Sequence, residues 1–112
     1  MRSDTSATPA TTSKRLAQVP LGHLYVEGRY FREHLEAVEQ LIDREAERAL
    51  DDDPPGRIVS RALMAPGELV VATTTERLAS RLARALHDAY AGTITCRFNP
   101  ESRLVRVTWC RE

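Results

Sequence analysis

Cysteine, aromatic residues and long apolar runs are all scarce in this sequence of 112 residues. Its two cysteines, Cys96 and Cys110, do not form a Cys-x-x-Cys pair, so neither a disulfide framework nor a thiolate zinc site is supported. No apolar stretch approaches the roughly 20 residues of a membrane-spanning helix. The first residues also lack the apolar core of a secretory signal. These absences predict a cytoplasmic protein with no membrane association.

Sequence motifs for catalysis and cofactor binding are missing as well. There is no nucleophile elbow, phosphate-binding loop, His-Glu-x-x-His motif or dinucleotide fingerprint. The three histidines, His23, His34 and His87, are widely separated. His87 adjoins Asp88, but neighbouring residues on a helix point in different directions. The sequence therefore predicts a non-enzymatic protein without metal or cofactor.

Charge is balanced overall but is distributed unevenly along the chain. Sixteen basic residues, among which Lys14 is the only lysine, match sixteen acidic ones. Residues 27–53 contain four basic and ten acidic residues, a net charge of −6, whereas residues 54–112 contain nine and five, a net charge of +4. Neutrality argues against a dedicated nucleic-acid protein, but the basic second half permits a local binding patch.

Residues 1–20 are rich in threonine, serine, proline and alanine and have few bulky apolar side chains. Such a segment buries too little surface to offset the entropy cost of ordering it. We therefore expect a disordered arm over residues 1–20 and a single domain over residues 21–112. The alternative is an arm that folds on a partner, with Lys14 and Arg15 contacting phosphate.

The stretch from Thr73 to Gly92 has a strong helical pattern with both ends marked. Thr73 and Glu76 have the spacing of a capping box, and Thr74 or Thr75 would serve as alternative caps. Gly92 suits a left-handed C-terminal stop. Apolar residues recur with the helical period, so one face must be buried. These residues are Leu78, Leu82, Ala85, Leu86 and Ala89.

Residues 29–50 are predicted to form another helix, which comes first along the chain. Its opposite face is acidic, which is usually a solvated surface and less often a docking site for a basic partner. Asp51 to Pro55 end the helix, because carboxylates oppose the helix dipole there and proline cannot continue it. The apolar stripe consists of Phe31, Leu35, Val38, Ile42 and Ala46, with Leu41 and Ala49 beside it.

Two hairpins flank the helix that begins near Thr73. The first joins residues 57–65 to residues 68–73 through Pro66-Gly67. If Ala65 pairs with Glu68, Ala62 lies opposite Val71, and Arg61 and Leu63 point to the other side of the sheet. Residues 21–30 are interpreted as a short transition, with Gly22 and Gly28 as breakers and with Leu24 and Tyr25 tucked under the domain.

The second hairpin joins residues 93–98 to residues 103–110 across a turn at residues 99–102. Its alternation directs Phe98 and Trp109 inward. With Cys96 opposite Val105, Cys96 is predicted to be a core residue, and Cys110 to run beyond the ladder on the opposite face. The two sulfurs would then be too far apart to bridge, so two free thiols are expected.

These elements predict an α+β fold of the order α-β-β-α-β-β. Two amphipathic helices would pack on one face of a four-stranded, mainly antiparallel sheet. The other face would carry polar residues from the alternating strands, because successive side chains of a strand point to opposite sides.

Arginine forms the one constellation that suggests binding. Three arginines form a ridge along the exposed side of the helix that begins near Thr73, and two share the outer side of the last hairpin with Thr95 and Thr108. Guanidinium and hydroxyl groups in this pattern suit a phosphate backbone, as positioning contacts rather than base readout. The predicted RNA-binding residues are Arg77, Arg81, Arg84, Arg97 and Arg106.

Base stacking is not expected on this surface, because Phe98 and Trp109 are predicted to point inward. Four further arginines, Arg57, Arg61, Arg103 and Arg111, would widen the basic field. The alternative interpretation is that the arginines only keep the outer faces solvated or pair with the acidic helix.

The C-terminal half resembles a family of small, uncharacterised bacterial proteins. The residues that carry the resemblance are Thr73–Thr75, Ala85–Tyr90 with Gly92, and Val105–Trp109, and the likeness extends over residues 25–112. Members of that family have an N-terminal Cys-x-x-Cys zinc ribbon and are sometimes labelled as distant relatives of the nuclear export adaptor of the large ribosomal subunit. The ribbon is replaced here by the threonine-rich arm, so the resemblance does not carry zinc to this chain.

The resemblance implies association with RNA or the ribosome. Two motif residues are expected to have structural roles. Tyr90 would pack the end of the helix against the sheet, and His87 would form a hydrogen bond with a neighbouring strand. The leading hypothesis is therefore a cytoplasmic adaptor that binds RNA or the ribosome through its arginines. The alternative is a protein-protein interaction module or homodimer with no nucleic-acid role, in which the acidic helix of one chain meets the basic face of another.

Overall fold

The computed structural model describes residues 20–52, 54–64 and 67–112. The predicted arm therefore lies outside the described residues, apart from Pro20, and so does part of the first hairpin turn. In chain order the elements are β1 (Gly22–Glu27), α1 (Arg29–Glu33), α2 (Leu35–Asp52), β2 (Ile58–Met64), β3 (Glu68–Thr73), α3 (Glu76–Tyr90), β4 (Thr93–Asn99) and β5 (Leu104–Cys110).

The strands form one sheet in the order β2-β3-β1-β5-β4. The predicted α+β class is confirmed and the four predicted strands are present, but the sheet has a fifth strand, because the supposed transition contains β1. This strand runs antiparallel to β3 and parallel to β5. It lies at the centre of the sheet and joins the two predicted hairpins. The sheet is therefore mixed, with five strands.

The side of the sheet that carries Leu24 and Val26 is covered by the helices, and we call it the inner face. Burial along β1 alternates strictly, with these two residues fully buried and the residues between them partly exposed. Helix α3 packs mainly over β1 and β5, and α2 packs alongside α3. The largest buried side chains of the core are Trp109, Phe31, Leu24, Ile42, Leu69, Leu78, Leu82 and Leu86.

Helix α3 is capped by Thr75, one of the predicted alternatives, whose hydroxyl accepts a bond of 3.1 Å from the Leu78 amide. The buried stripe of α3 is rotated from the predicted one. It includes Ala79 and Ala83 with the three leucines, whereas Ala85 is half-buried and Ala89 is exposed. Small side chains at positions 79 and 83 allow α3 to approach the sheet closely.

The predicted helix over residues 29–50 is divided in two at His34. The backbone there has φ −130° and ψ 38°, outside the helical region, and the His34 amide bonds the carbonyls of Tyr30 and Phe31. The imidazole also stacks on the Tyr30 ring, with centroids 4.0 Å apart. Phe31, Val38 and Ile42 nevertheless reach the same core, as the apolar spacing predicted.

The first hairpin has a register one residue away from the predicted one. Met64 pairs with Glu68 and Arg61 pairs with Val71, and the ladder shifts between Ile58 and Ser60. A shift of one residue exchanges the faces of a strand. Arg61 and Leu63 therefore lie on the inner face, and the predicted placement of Ala62 opposite Val71 is wrong.

The second hairpin is shifted by two residues, which preserves the predicted faces. Cys96 pairs with Val107 rather than Val105, and Cys110 pairs with Thr93, so the prediction that Cys110 lies beyond the ladder is wrong. Both thiols are free, as predicted. Cys96 is exposed, however, so its predicted core position is wrong. The reason is that β4 is an edge strand, which α3 barely covers.

Burial predicts that two leucines will respond very differently to the same truncation. Leu82→Ala in α3 removes a fully buried side chain and should lower the free energy of unfolding by about 2–5 kcal/mol. Leu63→Ala in β2 removes a side chain that is 56% exposed and should cost less than about 1 kcal/mol. Urea denaturation followed by circular dichroism measures both. Equal losses would contradict the assigned packing of α3.

Candidate nucleic-acid interface

The side of the sheet opposite the helices, which we call the outer face, carries the polar side chains of β1, β5 and β4. The pairing aligns them in rows across the strands. His23 of β1, Arg106 of β5 and Arg97 of β4 form the arginine row. Tyr25, Thr108 and Thr95 form the adjacent hydroxyl row. Both predicted arginines of this hairpin therefore share the outer face, as the alternation indicated.

Arg97 and Arg106 lie directly opposite each other on neighbouring antiparallel strands. Like charges in this position repel, which raises the free energy of the folded chain. Within the described part of the chain, neither guanidinium forms an ion pair. The guanidinium carbon of Arg106 lies 4.0 Å from the centre of the Tyr25 ring, a cation–π contact. The arrangement concentrates positive charge on an exposed surface.

Shallow depressions adjoin the arginine row on two sides. One of about 290 Å³ lies between the two arginines, the two threonines of the hydroxyl row and Glu27. Another of about 400 Å³ runs from the two arginines past His23 and Tyr25 to the β4–β5 turn at Asn99 and Pro100. Guanidinium, hydroxyl and imidazole donors thus surround concave surface that is open to solvent.

The opposite end of the outer face is acidic. Glu27 of β1 and Glu68 of β3 adjoin the last pair of their ladder, Val26 with Leu69. Partial burial raises the pKa of Glu68, and a hydrogen bond and charge repulsion from Glu27 raise it further, while Arg106 acts in the opposite direction. The outer face is therefore basic at the arginine row and acidic at this glutamate pair.

The three predicted arginines of α3 lie on the other side of the molecule, because α3 packs on the inner face. Arg81 is held by α2: its Nε lies 2.8 Å from Glu45 and its Nη1 lies 3.0 Å from Asp52. These carboxylates raise its pKa, with the Glu45 hydrogen bond as the main cause. Arg77 and Arg84 are exposed on the same helix. The five predicted residues are thus divided between two opposite surfaces.

A cleft of about 620 Å³ between α2 and α3 gathers Arg84 with further arginines. Arg44 and Arg48 line it, but so do Glu45 and Asp88, and Arg48 lies 3.5 Å from Glu45. Arg81 lines the cleft too, and Glu45 pairs with both Arg48 and Arg81, so part of the positive charge of this cleft is neutralised within the chain.

The acidic side of α2 is partly neutralised within the chain. Arg61, on the inner face of β2, pairs with Glu39 at 3.3 Å and also with Asp43. With the Arg81 pairs, four carboxylates of α2 have an internal arginine partner. This pairing reduces the acidic surface that the acidic-helix homodimer requires.

Motif residues of the resemblance occupy positions in the packing of α3 against the sheet. The Tyr90 ring lies 5.1 Å from Tyr30 and 6.4 Å from Trp109, so it closes the helix end against the sheet as predicted. Arg111 donates to the Tyr90 carbonyl at 2.6 Å and covers the Tyr30 ring. His87 instead lies at the surface, 4.0 Å from Asp88.

The outer-face positions of His23, Tyr25 and Glu27 were not predicted, because β1 was interpreted as a transition, and the prediction that Tyr25 tucks under the domain is wrong. A signal was present, since Leu24 and Val26 alternate with these three residues. The glycines at positions 22 and 28, and a length of only six residues, concealed it. Tyr25 is the important omission, because its ring supports Arg106.

Neither a metal cluster nor a membrane-crossing helix is found in the part of the chain that the structure describes. No group of three or more histidine, cysteine, aspartate or glutamate side chains among these residues is placed to hold a metal ion. Of the helices described here, none combines the length and apolar character that crossing a membrane requires.

These observations define a class of structure: a mixed sheet that helices cover on one face and that exposes arginines on the other. Comparison of the chain with protein-family models, with curated proteins and with solved structures finds no match.

The glutamate pair predicts a pH-dependent contribution to stability. The pKa of Glu68 in the folded chain is raised above the usual value of 4.5. The protonated carboxyl therefore contributes fully to the stability of the fold below pH 4.5, and this contribution is lost as the pH rises through the folded pKa. Glu68→Gln should therefore raise the melting temperature at pH 7 relative to the unchanged chain, with little difference at pH 4. Glu101→Gln, in the exposed β4–β5 turn, is the control and should change neither. A lower melting temperature of Glu68→Gln at pH 7 would contradict the predicted repulsion between the two glutamates.

Proposed function

We propose that this protein is a non-enzymatic, cytoplasmic adaptor that binds RNA through the outer face of its sheet. The observation that carries the proposal is the directly opposed pair Arg97 and Arg106, which forms no ion pair within the described residues. A phosphate group between two guanidinium groups relieves their repulsion and accepts hydrogen bonds from both. Partner binding thus compensates for an unfavourable arrangement in the free chain.

Three neighbouring side chains fit the same ligand, although the Glu27 carboxylate also lines this depression. The hydroxyls of Thr95 and Thr108 offer further donors to phosphate or sugar oxygens. Tyr25 holds the Arg106 guanidinium by its face, which limits the side-chain freedom that binding would otherwise remove. Stacking leaves the N–H groups at the edge of the guanidinium available to a ligand.

The expected contacts are with the nucleic-acid backbone. Arg106 already covers one face of the Tyr25 ring, Trp109 is buried, and Phe98, although it is exposed, lies on the inner face of β4. Base stacking of the kind that sheet platforms use is therefore not the basis of this proposal. Binding should depend weakly on RNA sequence and strongly on salt, because phosphate contacts release counterions.

The arginines of α3 have a smaller role in this proposal. Arg81 is occupied by Glu45 and Asp52, and Arg77 and Arg84 lie on the surface opposite the arginine row. A single RNA strand bound to the outer face does not reach Arg77 and Arg84. A large particle such as the ribosome would contact them as well only if it surrounded the domain. The implied ribosome association rests on the family resemblance.

Substituting the arginine row tests the proposal. Arg97→Ala with Arg106→Ala should weaken binding of a fluorescent poly(U) oligonucleotide by about 10- to 100-fold at low salt, because two charge-assisted phosphate contacts are lost. The slope of log K against log salt should fall by about 1.4, since each phosphate contact contributes about 0.7 for single strands. Fluorescence anisotropy across a salt series measures both quantities.

Arg77→Ala with Arg84→Ala is the matched control, because it removes the same charge from the other side of the molecule. We expect it to change affinity by less than about threefold. If the control loses as much affinity as the arginine-row variant, the binding surface lies on α3 or only net charge matters. If the unchanged chain does not bind RNA at low salt, the proposed function is wrong.

A further inference from the structure

The two edges of the sheet differ in how they are protected against pairing with another strand. At the β2 edge the ladder is irregular between Ile58 and Ser60, and Arg61 points inward and is held by Glu39 and Asp43. Bulges and inward-pointing charges are two of the devices by which natural sheets prevent edge-to-edge association. The β2 edge is therefore protected.

The β4 edge carries none of these features. Its seven residues pair with β5 without a register shift, and the strand contains no proline. Its inner-face side chains, Ile94, Cys96 and Phe98, are all uncharged. Ile94 is 40% exposed and Phe98 is 57% exposed, because α3 lies over β1 and β5. A regular edge strand with exposed apolar side chains is a template for a further strand.

From this contrast we infer that β4 pairs antiparallel with β4 of a second copy of the chain and forms a continuous ten-stranded sheet. The inference does not depend on RNA binding. A two-fold axis through Cys96 makes the strand complementary to itself. Residue 94 of one copy then lies opposite residue 98 of the other, residue 95 opposite residue 97, and residue 93 opposite residue 99.

This register satisfies both the apolar and the charged side chains. Ile94 meets Phe98 of the second copy on the inner face, so the exposed apolar surfaces cover each other. Arg97 meets Thr95 of the second copy on the outer face. Shifting the axis to residue 97 would place two arginines directly opposite each other, and shifting it to residue 95 would leave Phe98 without a strand partner. The axis through Cys96 is therefore favoured.

The proposed axis also places the two Cys96 residues opposite each other. Cα atoms of directly opposed residues on antiparallel strands lie about 4.5–5.5 Å apart, within the range that a disulfide spans. Cys110 lies on β5, one strand away from the edge and on the outer face. Partial burial raises the pKa of its thiol, and Glu112 raises it further, so it is less reactive at neutral pH.

The first test is the association state, measured by sedimentation equilibrium from about 1 μM to about 500 μM chain, a range that covers affinities of small interfaces. We expect a monomer–dimer equilibrium. Phe98→Lys should raise the dissociation constant at least about tenfold, because it places a charge at the centre of the apolar contact. The matched control is Leu63→Lys on β2, since Leu63 is 56% exposed, and it should leave the constant unchanged.

The second test uses mild oxidation of single-cysteine chains. Cys110→Ser, which retains Cys96, should give a covalent dimer on non-reducing gels, and Phe98→Lys in the same background should reduce its yield. Cys96→Ser, which retains Cys110, should remain monomeric. A purely monomeric chain throughout the concentration range would overturn the inference. Equal weakening by Leu63→Lys, or equal cross-linking through Cys110, would also overturn it.

Discussion

The structure depends on one constraint: both edges of β1 must be paired. Six residues near the start of the domain bond β3 on one side and β5 on the other, and so convert two separate hairpins into one sheet. The ends of the strand are fixed as well. The Leu21 amide donates to the Thr73 carbonyl at 3.1 Å, and the Arg111 amide donates to the Glu27 carbonyl at 3.2 Å. Without β1, neither the continuous inner core nor the continuous outer face would exist.

The sheet separates the arginines of this chain into two groups with different surroundings. On the helical side, Arg61 and Arg81 meet the acidic residues of α2 and join the elements together. On the outer side, Arg97 and Arg106 face each other across two strands. Sequence position does not distinguish the groups, since all four residues belong to the basic second half. Their partners do: the first group pairs with carboxylates, whereas Arg97 and Arg106 form no ion pair within the described residues, and Arg106 lies over the Tyr25 ring.

Much of the fold follows from local pattern. The helical periodicity located Phe31, Val38, Ile42 and the α3 leucines in the core, and the alternation of the last hairpin placed Arg97 and Arg106 on the outer face. The strand register was harder to predict. Two hairpins around Pro66-Gly67 whose pairing differs by one residue have nearly the same local sequence pattern, yet they place each β2 side chain on opposite faces of the sheet. Strand β1 was missed because it has only six residues and is bounded by Gly22 and Gly28, although its alternation was present. The same omission concealed the position of Tyr25 on the outer face.

The pairing of β1 with β5 has a consequence for how the chain folds. Residues 22–27 are aligned with residues 105–110, so this parallel ladder closes a loop that contains nearly the whole domain. Both hairpins and α3 involve short sequence separations and can form early, whereas the central ladder must wait for loop closure. During synthesis the first strand therefore emerges long before its β5 partner and keeps one edge unsatisfied until the last strand is available.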